Sequence, residues 1–407
     1  MSEKIIIVGN GITAISAIKA IREFDKESEI KLFGDEKFYP YNRIRLSKGL
    51  LTSLDEEKIL LQKKEWYEQN NIKLYLHAKV ISVNPSSKEI ETSDGSKVSY
   101  TKLLLANGAN NLIPDINGIN KEGVFSLRTL EDARNIVQQS NDSEVILNIG
   151  AGILSLELAW ILAQAGKKVI ITELAPRLMP RQLDERASQI LEKAIKNKNI
   201  DILINSQISE ISVREDKVEG VIADSGSFFP CDMVIYSIGI KPNIDIVKGT
   251  NIKINKGIII NEKMETEVTD IYAAGDVAEY NNKAYGLWNI AIGQGTVAGH
   301  NMVGKDSTYK PITPVTTLNA FDISLFSMGD IENNESTNIL LEDTGESNSY
   351  KKIFIRDNRI TGAIVIGDTK ISPILKRAIE ERISLGTINL DNVYIDELIE
   401  TIKNNKH

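Results

Sequence analysis

Short apolar runs that end at glycine-rich turns are the main feature of this chain. The first run, Lys4–Val8, leads into a glycine-rich turn and then into helical periodicity from Ile12 to Ile21. A second run, 144–149, leads into a similar turn and a helical pattern over 156–164. Buried strands that alternate with helices predict an α/β fold with parallel sheets.

The first turn has the spacing of a dinucleotide-binding motif, with Gly9, Gly11 and Ala14 as its small residues. In this motif the first glycine makes the tight turn and the second lets a pyrophosphate approach the backbone. The next strand, 30–33, ends at Gly34, so the acid for the adenosine ribose is displaced. Asp35 and Glu36 are both candidates, and we favour Glu36.

The second turn carries the same motif with all parts at the required spacing. Its turn is Gly150-Ala151-Gly152-Ile153-Leu154-Ser155, and the strand 168–172 closes on Glu173. An acid there would accept a hydrogen bond from the ribose 2′-hydroxyl and repel a 2′-phosphate, which favours NADH over NADPH. Nearby Arg177 and Arg181 could accommodate that phosphate, so NADPH stays open.

The segment 269–280 is the one around which we expect the fold to be organised. It predicts a buried strand over 271–274 and a turn that leaves the Asp276 carboxylate at the carboxyl end of the strand, where open α/β sheets bind ligands. Such an acceptor suits the hydroxyls of a polyol chain, although a capping Asp is the alternative. Two dinucleotide motifs lie upstream, and we expect neither to complete its fold without this strand.

The segments between the motifs add further strands and loops. Residues 72–106 are predicted to meander as strands over 72–76, 79–83, 89–92 and 103–106, with a hairpin turn at Asp94-Gly95. The last of them ends in Ala106-Asn107-Gly108, a turn that lets the chain pass close over a bound dinucleotide. A further strand over 233–237 precedes a turn at Gly239, and a small-residue helix is predicted over 292–301.

Two polar, proline-containing stretches suggest boundaries, one over 110–122 and one at Pro311 and Pro314. After the second, strands are predicted over 323–328, 338–341, 351–356 and 360–366, followed by helices over 373–382 and 393–403. This α+β region has no chemical motif of its own, and we expect it to wall the site or to form an interface.

Composition excludes several function classes. The chain has 407 residues, which is enough for two or three domains, and its single cysteine, Cys231, excludes an internal disulfide, a cysteine-based zinc site and a redox dithiol. A net charge of -8 argues against a general nucleic-acid binder. No apolar stretch reaches the roughly 20 residues that cross a membrane, so we expect a cytoplasmic protein. His77, His300 and His407 fall in no motif, and we predict no metal site.

Three charged residues, Arg43, Lys48 and Glu157, have competing interpretations. The segment 39–48 is either a loop with a solvated basic helix or a site where Arg43 meets phosphate and Lys48 lies beside the reacting ring. Glu157 lies one turn into the helix after the second motif. A solvated or capping role is the alternative for Glu157, but its apolar neighbours argue against a fully exposed position.

The chain as a whole resembles the two-dinucleotide flavoprotein reductases, and among them the NADH:rubredoxin oxidoreductases of anaerobes. It is also similar to the ferredoxin reductases of oxygenase systems and to the flavin portion of NADH-dependent nitrite reductases. The motifs that carry the resemblance are GNGITA, YNRIRLSK, LLLANGA, SLRTLEDA, GAGILS, PRLMPRQLDE, YSIGIKPN and DIYAAGDVAEY.

The resemblance implies two Rossmann-like domains, with an FAD domain (1–108 and 239–311) interrupted by an NAD(H) domain (109–238), and a C-terminal α+β interface domain (312–407). Lys48 and Glu157 would form a charged pair beside flavin N5 and the nicotinamide. Trp288 would lie near the flavin edge, with core packing as the alternative, and Asn107 departs from the usual Thr of its turn. The implied FAD ligands are Gly9, Gly11, Ala14, Glu36, Arg43, Val80 (through its backbone), Ala106, Gly108, Arg128 and Asp276, and the implied NADH ligands are Gly150, Gly152, Ile153, Leu154 and Glu173, with Gly239 at the cofactor site.

The function implied is hydride transfer from NADH to FAD and then delivery of single electrons to a small electron-carrier protein such as rubredoxin. With no cysteine pair, electrons should leave from the flavin edge. Arg43, Arg45 and Lys48 could form a positive patch for an acidic carrier. Ferredoxin, nitrite-reductase subunits or oxygen as acceptor, and an NADH-sensing flavoprotein, are the alternatives. Monomer and dimer both stay open.

Overall fold

The computed structural model describes residues 3–333, 337–345, 349–386, 388–390 and 393–404. His407 therefore lies outside the described residues. The chain divides into two compact units. The first contains Met1–Leu112, Arg128–Leu130 and Gly239–Pro311, and the second contains Ile113–Leu127, Glu131–Ile238 and Ile312–His407. The domain boundaries given above stay predictions.

The first unit is built on a five-stranded parallel sheet. Lys4–Val8 lies at its centre, where its isoleucines are almost fully buried. A strand buried on both faces reads as a continuous apolar run, which is why the sequence revealed it. The strand order is Ile271–Ala273, Lys102–Leu105, Lys4–Val8, Glu29–Phe33 and Ile72–Tyr75.

This sheet corrects two expectations. The strand Ile271–Ala273 pairs with Lys102–Leu105 and completes the first sheet alone, so the second motif does not depend on it. The region 72–106 is not one meander, because its first and last strands join the parallel sheet. Only the strands between them pair antiparallel, with the predicted hairpin turn after Glu89–Thr92.

The first unit contains further helices and short strands besides this sheet. Helix Trp288–Met302 begins one turn earlier than predicted, which places Trp288 at its first position. The other helices are Ile12–Phe24, Ile44–Lys48, Glu56–Ile59 and Lys64–Gln69, with 3-10 turns at Asp245–Val247 and Gly275–Val277, and the other strands are Val80–Asn84, Glu89–Thr92, Lys97–Ser99, Ala109–Asn111, Ile240–Pro242, Ile258–Ile259 and Ala278–Glu279.

The second unit contains another five-stranded parallel sheet, and the strand before the second motif lies at its centre. Three antiparallel strands, Ile208–Arg214, Lys217–Ala223 and Phe228–Pro230, belong to the same unit. The order of the parallel sheet is Asp201–Ile204, Lys168–Glu173, Val145–Ile149, Met233–Tyr236 and Val124–Phe125, and the helices beside it are Leu130–Asn141, Ile153–Gln164 and Glu185–Lys196.

The C-terminal region of the second unit is an antiparallel sheet with two helices that pack on it through a shared apolar core. Its four predicted strands are present, and Val315–Ala320 is a fifth that the sequence analysis missed. The sheet order is Val315–Ala320, Ile323–Gly329, Arg359–Ile366, Tyr350–Arg356 and Asn338–Asp343, and the helices are Ser372–Glu380 and Ile395–Asn404.

The amino end of helix Glu185–Lys196 is bound to this C-terminal sheet through Asp184. Its carboxylate caps the helix by accepting from the Ala187 N–H, and it also accepts from the Tyr350 hydroxyl at 2.6 Å and from Lys352 Nζ at 2.8 Å. Burial alone would raise the pKa of Asp184. The Lys352, Tyr350 and Ala187 donors outweigh that effect and hold the pKa below its usual range.

Replacing Asp184 with Asn is expected to lower the free energy of unfolding at pH 7 by about 2 kcal/mol, because Lys352 loses its anionic partner. A carboxylate whose pKa is depressed by folding stabilises the protein above its unfolded pKa, near 3.9, and loses that effect as the pH falls through the folded pKa. The difference between the two proteins in urea unfolding should therefore shrink below about pH 4.

Asp322→Asn is the matched control for this experiment. Asp322 also pairs with a lysine, Lys198, but its side chain is 69% exposed, and exposed pairs contribute little to stability. A loss of stability as large in Asp322→Asn as in Asp184→Asn would contradict the role given to Asp184.

Within the described ranges, no helix combines the length and the apolar character needed to cross a membrane.

Candidate functional site

The first glycine turn leaves an open space beside Gly11. Gly9 has φ +97°, and a Cβ on it would overlap the Ala106 carbonyl and lie 2.7 Å from the Asn107 Cα. The tight turn therefore requires glycine. At Gly11, by contrast, a Cβ would have no described atom within 4 Å apart from its own neighbours in the chain and helix. That space lies at the amino end of helix Ile12–Phe24, where backbone N–H groups favour an anion.

Small residues let helix Trp288–Met302 approach the helix that follows this turn. A Cβ on Gly295 would overlap the Thr13 carbonyl, and one on Gly299 would overlap the Ala17 carbonyl. Ala14 is fully buried. The small third residue of the motif therefore serves close packing, as its place in the motif predicts.

The position of Glu36 follows from the side chain of Asn10. A Cβ on Gly34 would lie 2.5 Å from the Asn10 amide, which donates to the Phe38 carbonyl. The strand end therefore has no room for an acidic side chain, and the acid stands two residues later. Glu36 accepts from the Tyr41 hydroxyl at 2.7 Å and from Arg43 Nη2 at 2.5 Å.

Tyr41 and Arg43 connect Glu36 to the segment Arg128–Leu130. The Tyr41 hydroxyl accepts from the Leu130 N–H at 2.9 Å while it donates to Glu36. Burial raises the pKa of Tyr41 far above its usual value, so the phenol stays protonated as a donor. Arg43 Nη1 donates to the Arg128 carbonyl at 2.7 Å. Arg43 is thus held inside the unit, and Arg45 and Lys48 are the exposed cations of its helix.

Asp276 lies on a 3-10 turn directly after the buried strand Ile271–Ala273. The Gly275 N–H donates to the buried Gln294 side chain at 2.8 Å, which fixes the turn. Arg128 Nη2 donates to the Asp276 carboxylate at 2.8 Å, and Gly108, with φ +66°, lies beside the same guanidinium. The structure therefore brings together Arg128, Asp276 and Gly108 from distant parts of the chain.

The second glycine turn repeats the geometry of the first. Gly150 also has φ +97°, and a Cβ on it would lie 2.6 Å from the Ser237 carbonyl. Gly152 has open space beside it among the described atoms, and helix Ile153–Gln164 begins at the next residue. Glu173 accepts from the Ala151 N–H at 2.8 Å and from the Ala175 N–H at 2.9 Å, so its carboxylate faces the turn.

The other predicted residues lie on both units. Lys48, which is exposed on helix Ile44–Lys48, belongs to the first unit, and Glu157, half-buried on helix Ile153–Gln164, belongs to the second. Their pairing stays a prediction. Leu154 is half-buried at the start of that helix, Val80 begins a strand of the first unit, Ala106 is buried, Gly239 has φ +122°, and Trp288 is half-buried.

Both turns fit a dinucleotide. Each offers an open space beside a glycine at a helix amino end, and each has a carboxylate held by protein donors near the following strand. The first unit adds the Arg128–Asp276 pair. These groups suit a pyrophosphate and the hydroxyls of sugars or a polyol.

Sequence reasoning missed three residues that hold this arrangement in place. Tyr41 orients Glu36, Gln294 fixes the turn before Asp276, and Asn243 exchanges hydrogen bonds with Asn107. Tyr41 lies in the YNRIRLSK motif and Asn243 lies in the YSIGIKPN motif. Nothing in the sequence around Gln294 indicated its role, because Gly275, which is 19 positions away, becomes its neighbour only in the folded chain.

Comparisons with known proteins agree with this geometry. Residues 3–295 match the family model described as pyridine nucleotide-disulphide oxidoreductase, and residues 314–383 match the one described as the rubredoxin NAD+ reductase C-terminal domain. NADH-rubredoxin oxidoreductase of Clostridium acetobutylicum is 34% identical over 98% of this chain and 100% of that protein. Nitrite reductase [NAD(P)H] of Bacillus subtilis is 35% identical over 90% of this chain but only 46% of its own length.

Among solved structures, NADH:rubredoxin oxidoreductase from Clostridium acetobutylicum aligns over the full length of both chains, with 33% identity and a TM-score of 0.81. The predicted fold class is confirmed, as are the family resemblance and the class of enzyme. The chain belongs to the pyridine nucleotide-disulphide oxidoreductase family.

Proposed function

We propose that this protein is an FAD-dependent NADH oxidoreductase that delivers electrons to a small electron-carrier protein such as rubredoxin. The observation that carries the proposal is the presence of two glycine turns, each with open space at Gly11 or Gly152, in one chain. Two dinucleotide sites in one oxidoreductase serve electron transfer between two cofactors. The relative from Clostridium acetobutylicum, which matches over its full length, supports NADH use and this type of acceptor, and the matched family supports a flavin.

In the first unit, the chain's own residues would bind and orient the flavin nucleotide. The N–H groups at Gly11 would hold the pyrophosphate, with Arg43 near it, and Glu36, oriented by Tyr41, would accept from the adenosine ribose. Asp276, held by Arg128, would accept from the polyol chain. When bound, the flavin supplies a ring that takes up hydride from NADH and releases electrons one at a time.

In the second unit, Gly152 would hold the NADH pyrophosphate and Glu173 the ribose hydroxyls. Lys48 would place a positive charge beside the flavin ring, and Glu157 would orient Lys48 and the nicotinamide carboxamide. Proximity and orientation are the main contributions of the protein to such a reaction.

Electrons should reach the acceptor without a thiol relay. The chain has a single cysteine, Cys231, and burial raises the pKa of its thiol to about 12. A protonated, buried thiol is a poor nucleophile. Cys231 therefore acts as a small apolar residue of the core that includes Leu147 and Val234.

The proposal is tested by anaerobic stopped-flow mixing of the purified yellow protein with NADH and then with rubredoxin. We expect fast bleaching followed by fast rubredoxin reduction. Fast bleaching with slow transfer would contradict rubredoxin as the acceptor and point to ferredoxin, nitrite-reductase subunits or oxygen. Slow bleaching to a persistent long-wavelength complex would contradict the reductase and favour an NADH sensor.

The carrier is expected to dock at the exposed Arg45 and Lys48. Because these charges act on an acidic partner through solvent, raising the salt from about 50 to 300 mM should slow rubredoxin reduction several-fold while flavin bleaching stays unchanged. Transfer rates that do not respond to salt would contradict docking through these cations.

Replacing Glu173 with Ala is expected to raise the NADH dissociation constant by about tenfold and the NADPH constant by less, because the carboxylate that accepts from the ribose is lost. The ratio of the two constants is the measurement. Glu185→Gln removes an exposed carboxylate of the same unit, at the start of helix Glu185–Lys196, and is the control. An unchanged ratio in Glu173→Ala would contradict its role in cofactor choice.

A further inference from the structure

Asn107 lies where the first parallel sheet meets the glycine turn of the first unit. It follows the strand Lys102–Leu105 of this sheet by two positions, and its Cα would lie 2.7 Å from a Cβ on Gly9. The next residue, Gly108, lies beside the Arg128 guanidinium, which binds Asp276. Asn107 therefore lies next to residues that the proposed function assigns to the flavin nucleotide.

The side chain of Asn107 is held in one orientation by Asn243. Asn107 Nδ2 donates to the Asn243 carbonyl at 2.7 Å, and Asn243 Nδ2 donates to the Asn107 carbonyl at 2.8 Å. Rotating the Asn107 amide by half a turn would place its oxygen against the Asn243 carbonyl, where two acceptors would repel. The amide nitrogen therefore faces Asn243, and the amide oxygen faces the other way.

That amide oxygen lacks a donor. Asn107 Oδ1 is buried, and no donor among the described residues lies within hydrogen-bonding distance. A buried acceptor that leaves water without gaining a partner is costly, and such groups in native proteins usually have one. A donor for Asn107 Oδ1 must therefore come from outside the described residues, and a bound molecule can supply it.

We propose that Asn107 Oδ1 accepts a hydrogen bond from a hydroxyl of the polyol chain of the flavin nucleotide. The inference rests on the proposed function. A pyrophosphate offers no donor at neutral pH, so the hydrogen bond must come from the hydroxyl-bearing or N–H-bearing parts of the nucleotide. The polyol is favoured because the acceptor assigned to it, Asp276, is bound to Arg128, next to Gly108.

The test is flavin titration of the apoprotein, followed by fluorescence quenching. Asn107→Leu keeps the approximate volume of the side chain and removes the acceptor, and we expect the FAD dissociation constant to rise by about 5- to 30-fold. Asn110→Leu makes the same substitution at an exposed position of the strand Ala109–Asn111 and leaves Asn107 Oδ1 in place. That control should bind FAD within about twofold of the wild-type protein.

FMN carries the same ring and polyol without the adenosine, and lumiflavin carries the ring without the polyol hydroxyls. An equal relative loss of FAD and FMN affinity in Asn107→Leu, with lumiflavin affinity unchanged, supports the polyol. A loss confined to FAD would place the donor on the adenosine, and a loss shared by lumiflavin would place it on the ring N–H, and either would overturn the assignment. Wild-type affinity for FAD in Asn107→Leu would show that a water satisfies the oxygen, and would also overturn it.

Two controls keep the inference separate from other failures. If the wild-type apoprotein binds no flavin, the proposed function itself fails. If the circular dichroism of Asn107→Leu shows that it is misfolded, Asn107→Ala removes the same acceptor without the bulk and should show the same loss.

Discussion

The Gly152→Ala protein is expected to keep its flavin and its fold but to bind NADH about 30- to 100-fold more weakly than the wild-type protein. A Cβ at this position would meet no described atom within 4 Å apart from its own neighbours in the chain and helix, and the Gly152 backbone is in an extended conformation that alanine adopts freely. The substitution therefore costs the folded chain little. The added methyl group would occupy the space into which the pyrophosphate must come.

Two measurements separate this outcome from general damage. Flavin content and the visible spectrum should match those of the wild-type protein, and the concentration of NADH that half-saturates flavin bleaching should rise. Gly166→Ala is a useful comparison, because Gly166 lies after the same helix, outside the turn, and has φ +82°. It should lower stability rather than NADH affinity. Wild-type NADH binding by Gly152→Ala would contradict the placement of the pyrophosphate.

The Gly9→Ala protein is expected to lose about 2–4 kcal/mol of stability even without flavin. A Cβ on Gly9 would overlap the Ala106 carbonyl and approach the Asn107 Cα, which are backbone atoms at the end of a buried strand. The positive φ adds strain for any residue with a side chain. Neither problem can be relieved without moving the strand that carries Ala106-Asn107-Gly108.

Gly11→Ala is the matched variant, two residues away in the same turn. Alanine is a poorer helix N-cap than glycine, which destabilises the folded protein, but it also lowers the entropy of the unfolded chain, which stabilises the folded protein. Because these two effects nearly cancel, the stability of the apoprotein should stay within about 1 kcal/mol of wild type. Its flavin affinity should nevertheless fall sharply. Urea unfolding of both apoproteins, combined with FAD titration of Gly11→Ala, tests the pair. Equal stability of the two variants would contradict the account of Gly9.

The chain sequence was most informative where one short segment sets its own conformation. Both glycine turns were predicted at the correct residues, because positive φ at the first glycine and open space at the second are demands on the local backbone. The central strands were predicted from their continuous apolar runs, and the helices after these turns from their helical periodicity. The helix Glu185–Lys196 was not predicted, although its sequence is amphipathic and Asp184 caps it. The signal for this helix is therefore present in the sequence.

The partners of the candidate site residues were decided only by the tertiary structure. Arg128 and Asp276 stand 148 positions apart, and Asn107 and Asn243 stand 136 apart. The strand Ile271–Ala273 could have joined either sheet until its pairing with Lys102–Leu105 placed it in the first.

By itself, then, the sequence determined that this chain is an α/β protein with two dinucleotide turns and a flavoprotein-reductase pattern. The tertiary structure decided that Glu36 is oriented by Tyr41 and Arg43, and that Asp276 is held by Arg128 on a turn that Gln294 fixes. It also decided that the buried amide oxygen of Asn107 has no donor among the described residues. The physical reason is that a turn depends on neighbours along the chain, whereas a hydrogen-bond partner depends on which distant segments the folded core brings together.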